Sequence, residues 1–551
     1  MNSSKKVDKT IFFASIIISL ALIIWNLLAN DSFTGITGAV FSKMSGVFGW
    51  LFLLGYNFFL VALIILAFSK YGKIRLCKNY NDKPEYKLMT WVAMMFASGL
   101  GVGLTYYGVY VSLDHYYNPP FGLVARSSEA WTIAPAYATW YHGLHPWAGY
   151  VIVGLIIAYF SYNQNVGGLF STPLTYVFSK KNPDGSPKLN AGWGKAIDVY
   201  IIVVTLVGLC ASYSIACSML GAGLYNVFSI NNDIVLKLII LAVLTMILVL
   251  STYKGVSKGM AFMSDMNLYL CYIILGMMVI FGPTIDILKG LIEGISGLLG
   301  NYLKMTFFMD ATGATKAAMG FDFARDWPIM LLAFFMAWTP FVGIFIAKVS
   351  RGRSIKELVL GGLLLPTIFC YVWNYIFGTS AIVLDNATNG GLMALIGGDW
   401  SNCLYALYSY LPLKIVFGIL TLFVCTTFIL TSCDSADYCI SVLSCRGDID
   451  PPTIVRVTWA IIMGGFATIF LIGGAKAIQN IQGIATLPMF FLIPVMFFTF
   501  MKVMKEDYKT KYCKQIRLEE MRKLQELDDS ISIEDQELMD VYITKISTAE
   551  K

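Results

Sequence analysis

The sequence predicts an all-α membrane protein of about twelve transmembrane helices, with two peripheral helices followed by two five-helix repeats of inverted topology. Three observations predict it. Of the 551 residues, 57% are hydrophobic and only 13% charged, which leaves more apolar surface than a soluble protein of this size can bury. Apolar stretches of about 20 residues recur along the chain; a helix of that length crosses the hydrocarbon core with its backbone polar groups satisfied internally. Two of these stretches carry helix-weakening residues, and they fall at matching places in the two halves of the chain.

Taken in order, the stretches lie near residues 11–28, 47–68, 89–110, 147–160, 197–228, 234–250, 266–287, 327–347, 358–377, 415–438, 457–471 and 484–500. The first follows Lys5, Lys6 and Lys9 and has no small-residue cleavage site after it, so it reads as an anchor rather than a removed signal peptide. Basic residues collect in every second loop. Lys70, Lys73, Arg75, Lys78, Lys83 and Lys87 follow the second span, and Lys180, Lys181 and Lys188 follow the fourth. Lys254 and Lys258 follow the sixth, and Lys348, Arg351, Arg353 and Lys356 the eighth. The positive-inside rule then places both termini in the cytoplasm and requires an even number of spans.

The third span contains Gly99, Gly101 and Gly103, each of which weakens a helix by about 1 kcal/mol relative to alanine. The eighth contains Trp338-Thr339-Pro340, where proline removes one helical hydrogen bond. These spans open two successive five-span sets, the arrangement of carriers whose broken helices meet around a solute at the membrane midplane. The predicted organisation is a cytoplasmic N-terminus (1–10), two peripheral helices (11–88), a first repeat (89–292), an external loop or helix (293–326), a second repeat (327–501) and a cytoplasmic tail (502–551). Segments 118–145 and 378–412 carry helix-like apolar patterns and are expected along the outer surface. The tail, more acidic than basic, reads as a solvated amphipathic helix around 515–527.

Several function classes are excluded. The net charge of +6 is accounted for by the basic loops and implies no nucleic-acid partner. Cys210, Cys217, Cys271, Cys370, Cys425, Cys433 and Cys439 fall inside spans without metal-ligand spacing, and no cofactor is expected. His115, His142 and His145 lack an H-E-x-x-H pattern, no nucleophile elbow is present, and no repeated filter sequence suggests a channel. Asp434 stands in an apolar span, where an ionised group costs several kcal/mol unless paired.

Aromatic residues mark the candidate binding site. Phe334 and Trp338 lie one turn apart in the eighth span, and Trp147 and Tyr150 three residues apart in the fourth. Aromatic faces carry negative potential, and each holds an alkylated ammonium by roughly 0.5–2 kcal/mol without any carboxylate. The expected partner is a small zwitterionic or cationic amine solute, carried across the lipid bilayer.

Three segments carry a resemblance to a known family: 341–353 (FVGIFIAKVSRGR), 143–148 (GLHPWA) and 431–435 (TSCDS). From about residue 11 to 502 the chain resembles the betaine/choline/carnitine transporters, which share the amino-acid/sodium symporter-like fold. The resemblance implies a trimethylammonium box of Trp147, Tyr150 and Phe335 with Trp338 beside it, close to Gly99, Gly101 and Gly103. The first box position, usually tryptophan, is His142, and Phe334 and Phe335 stand where tryptophans usually precede Trp338. The acidic residue usual shortly after the glycine run is replaced around Val111. The resemblance also implies a sodium site from the carbonyls of Ala97, Leu100 and Phe428 and the hydroxyls of Thr431 and Ser432. A second site would use Thr205 and Phe341, but its other hydroxyl position is Leu209. A homotrimer in a bacterial or archaeal inner membrane is implied as well. The implied activity is sodium-coupled uptake of a betaine-like solute; the alternatives are sodium-independent exchange and carriage of a less methylated amine.

Overall fold

The computed structural model describes residues 7–78, 82–99, 101–182, 188, 191–254, 257–448 and 450–513. Almost all of it is helical. The N-terminal half contains α1 (Lys9–Leu28), α2 (Asn30–Phe68), α3 (Leu88–Gly99), α4 (Gly101–Tyr117), α5 (Ser128–His142), α6 (Leu144–Ala158), α7 (Thr172–Phe178), α8 (Gly192–Phe228), α9 (Ile234–Lys254) and α10 (Ser257–Phe281). There follow α11 (Thr284–Thr306), α12 (Ala314–Met319), α13 (Met330–Val349), α14 (Ile355–Ala387), α15 (Gly391–Ile396), α16 (Cys403–Tyr408), α17 (Lys414–Ser444), α18 (Thr453–Thr486) and α19 (Met489–Asp507).

Among the described residues, ten helices are long and apolar enough to cross a membrane, or eleven if the bent pair α10–α11 is one span. The protein is therefore an all-helical, multi-pass membrane protein. Twelve spans were expected; segment 89–110 falls on α3 and α4, on either side of Leu100, which lies outside the described residues. The amphipathic tail expected at 515–527 also lies outside them. The burial pattern separates a core from a shell. Ser128–Asn163 and Arg325–Val349 are almost wholly buried, whereas α1 and α9 turn most of their side chains outward. Ile17, Leu28, Ile239 and Met246 are among the apolar residues left for lipid.

Three expectations are corrected. Segment 118–145 is at the surface only in part: residues 118–129 are mostly exposed, but from Ala130 on α5 continues through Gly143 into α6 as a buried run. Its polar residues lower the mean hydropathy because they face protein rather than lipid. Next, the eighth span is not interrupted at Pro340, since α13 winds continuously from Met330 to Val349. Proline removes a single donor, and close packing on both sides holds the helix through the gap. Last, the seventh span ends at Phe281, before Gly282-Pro283, rather than near residue 287. The chain turns there by 115° into α11. The exposed face of α11 carries Ile285, Leu288, Ile292, Ile295, Leu299 and Leu303. Its glycines press inward, and a Cβ at Gly297 would meet Thr132 Cγ2 at 2.7 Å. An amphipathic helix of this kind suits the membrane interface. A further break sits at Gly474, whose φ of 72° interrupts α18 in the gap between the last two expected spans.

The 341–353 segment fastens the basic loops together. Leu76 N–H donates to the Arg353 carbonyl and Gly352 N–H to the Leu76 carbonyl, each at 2.8 Å. The Arg353 guanidinium lies 4.1 Å from the Trp91 ring centre, and Trp91 Nε1 donates to Ser350 Oγ at 3.0 Å. The start of α3 is thereby tied to the end of α13.

Candidate functional site

Two helices carry most of the aromatic residues singled out in the sequence, and small residues bring them together. A Cβ on Gly154 of α6 would meet Ile346 Cγ2 of α13 at 2.7 Å, and one on Gly343 would meet Val153 Cγ1 at 2.5 Å. A Cβ on Gly149 would approach Thr339 Oγ1 to 3.2 Å. On its other side α13 lies against α8, where a Cβ on Gly208 would come within 2.7 Å of the Ala337 carbonyl.

The predicted box residues are all buried, and they form two ring groups. On α6, Trp147 and Tyr150 meet edge to face at 5.5 Å. The Trp147 ring lies over Gly99, where an added Cβ would be 2.7 Å from Cη2. On α13, Phe334 stacks on Trp338 at 6.0 Å and meets Phe335 at 5.2 Å. His142, at the end of α5, joins this second group through an edge contact with Phe335 at 5.3 Å. Trp338 is oriented by its indole N–H, which donates to the Gly208 carbonyl at 3.1 Å. The Nε1 of Trp147 and the hydroxyl of Tyr150 are buried without a hydrogen-bond partner. A Cβ on Gly103 would make only an ordinary contact, with Tyr107 Cδ2 at 3.8 Å.

Tyr107 was not singled out in the sequence, although it follows the glycine run by one helical turn. Its ring contacts His142 at 5.5 Å, Phe334 at 6.2 Å and Tyr110 at 6.1 Å. Tyr110 in turn meets Trp327 at 5.3 Å. Both Tyr110 and Trp327 line a cavity of about 780 Å³ at the end of the bundle where α2 begins. A continuous row of rings thus runs from that cavity to Trp338, with Tyr107 between the cavity and the box.

The residues assigned to ion binding differ in their availability. Ser432 Oγ on α17 is buried without a partner. Thr431 Oγ1 donates back to the Thr427 and Phe428 carbonyls, both at 2.9 Å, so the Phe428 carbonyl is already engaged. Ala97 lies on α3 and Gly101 opens α4, with Leu100 between them outside the described residues. At the second position Thr205 Oγ1 donates to the Ile201 carbonyl at 2.8 Å, and the Phe341 carbonyl receives the Cys439 thiol at 3.4 Å. Leu209 supplies no oxygen there.

Asp434 acquires the partner that the sequence left unnamed. Arg456 of α18 donates through Nη2 to Asp434 Oδ1 and through Nε to Asp437 Oδ2, both at 3.1 Å. Lys348, ending α13, lies 3.9 Å from the centre of the intervening Tyr438 ring. Paired charges at the ends of three helices hold that side of the bundle together.

The sequence matches the family described as BCCT, betaine/carnitine/choline family transporter, over residues 10–509. It is 32% identical over 489 residues to the glycine betaine transporter OpuD of Bacillus subtilis (strain 168), covering 88% of this chain and 92% of the relative. It is 30% identical over 512 residues to an ectoine/hydroxyectoine transporter of Virgibacillus pantothenticus, covering 92% and 99%. With the osmo-dependent choline transporter BetT2 of Acinetobacter baylyi it shares 29% identity over 518 residues, covering 92% and 72%.

Proposed function

The chain belongs to the betaine/carnitine/choline transporter family, and from that premise we propose sodium-coupled uptake of a small amine solute by alternating access. It is a transporter and not an enzyme, and its family carries solutes of the betaine, ectoine and choline kind. One observation carries the finer reading. The box is divided between α6 and α13, whose backbones meet through glycines, and its rings present faces to a cationic head that no nearby carboxylate is needed to hold.

Sodium coupling is supported by the buried, unpartnered Ser432 hydroxyl and by the family resemblance. The second position has only the Thr205 hydroxyl, with Leu209 where its other hydroxyl would stand, which favours one coupled ion over two. The alternating basic loops favour cytoplasmic termini in a bacterial or archaeal inner membrane. A homotrimer is the assembly the family resemblance implies.

Uptake into proteoliposomes tests the coupling. Replacing external sodium by potassium at equal osmolarity is expected to abolish accumulation, and Thr431→Ala combined with Ser432→Ala to lower the apparent sodium affinity. Accumulation unchanged by both would leave exchange, rather than symport, as the activity.

A further inference from the structure

We infer that the cationic nitrogen of the carried solute bears at least one hydrogen, received by Nε2 of His142. This rests on the transport reading above and narrows it. His142 is completely buried, and its Nδ1 lies 2.8 Å from the Ala138 carbonyl. A carbonyl oxygen can only accept, so Nδ1 carries the hydrogen, and in the neutral ring Nε2 is left as a bare lone pair. That atom has no hydrogen-bond partner. A buried acceptor without a donor is costly, and more so within a membrane span, where no bulk water reaches it.

The ring is not at a solvated edge. It sits between Phe335 at 5.3 Å and Tyr107 at 5.5 Å, inside the aromatic group that ends at Trp338. Next along the same helical run come two unsatisfied groups of opposite sense. Trp147 Nε1 is a donor only, and the Tyr150 hydroxyl can donate. The His142 group thus offers a free acceptor, and the separate Trp147–Tyr150 group two free donors. A trimethylammonium head has no hydrogen for the acceptor. A partly methylated ammonium or an amidinium supplies the N–H that His142 lacks, while its remaining alkyl surface lies against the rings.

The probes are glycine betaine and N,N-dimethylglycine, which differ by one methyl group and hence by the presence of one N–H. Binding to purified full-length protein is measured by titration calorimetry, with ligand-free melting recorded for each variant. Dimethylglycine is expected to bind about tenfold or more tightly than glycine betaine, a difference of about one donor–acceptor pair. His142→Phe should erase that ratio, whereas His142→Gln, which keeps an acceptor, should retain a preference for dimethylglycine. Glycine betaine binding as tightly as dimethylglycine, or a preference that survives His142→Phe in a folded variant, overturns the inference and leaves the transport reading standing. Binding of none of dimethylglycine, glycine betaine, choline and ectoine overturns both.

Discussion

Trp338 hands its indole N–H to the backbone carbonyl of Gly208, 130 residues earlier in the chain and 3.1 Å away. The bond fixes the plane of the ring that stacks on Phe334, so ring and tether are separable by mutation. Trp338→Ala is expected to raise the solute dissociation constant about tenfold or more, from roughly 1–2 kcal/mol of lost aromatic face. Trp338→Phe keeps a face but loses the tether and should fall between wild type and Ala. Calorimetric titration reads both, and unchanged affinity in Trp338→Ala would remove the residue from the site.

Gly99 is expected to dissociate folding from transport. Alanine favours the helix by about 1 kcal/mol, yet its Cβ would stand 2.7 Å from Trp147 Cη2. The ring must move, at a cost of about 1–3 kcal/mol. Gly99→Ala should therefore elute as a folded protein while uptake falls at least several-fold. Wild-type uptake would mean that Trp147 has free room.

Arg456 answers two carboxylates, the fully buried Asp437 and the partly buried Asp434. Removing the guanidinium deprives the buried Asp437 of its ion pair, and breaking a buried ion pair from one side costs about 3–5 kcal/mol. Arg456→Met should lower the melting temperature markedly in detergent. Asp437→Asn combined with Arg456→Met should recover part of the loss, and no recovery would argue against the pairing.

Asp8 predicts a pH dependence. Burial alone would raise its carboxyl pKa, but Lys195 at 2.9 Å and Arg446 at 2.8 Å outweigh burial and hold it below the ordinary value of 3.8. A lowered folded pKa means that the stabilisation is whole above that ordinary value and is lost as pH falls through the folded one. Asp8→Asn should melt lower than wild type at pH 7, with the gap closing as pH drops below about 4. A gap independent of pH would assign the effect to the helix cap that Asp8 makes with Thr10 and Ile11.

Hydropathy made most spans legible because lipid-facing helices such as α9 must be apolar on nearly every side. It failed for α5, whose surroundings are protein, so that Thr139, Tyr141 and His142 are buried without an apolar signature. The Gly282-Pro283 pair was a readable stop signal, passed over because apolar residues continue beyond it. Pro340 misled in the other direction: the sequence reports a missing donor but not the packing that carries the helix across it. Among site residues, the rings of α6 and α13 could be read from their spacing and the family resemblance. The partnership of Asp434 with Arg456 could not, since it joins two helices across a loop and only the folded bundle sets their register. Tyr107 left a weaker trace, an aromatic one turn past a glycine run.

Gly154 and Gly343 bring the backbones of the two ring-bearing helices together, an added Cβ on either lying 3.1 or 3.2 Å from the other's backbone. Backbones in such contact cannot slide past one another without collision, so α6 and α13 travel as a single cartridge. Whatever motion exposes the solute to one side of the membrane and then the other must be taken up at the cartridge's outer edges, and the spacing between its rings stays constant throughout the cycle.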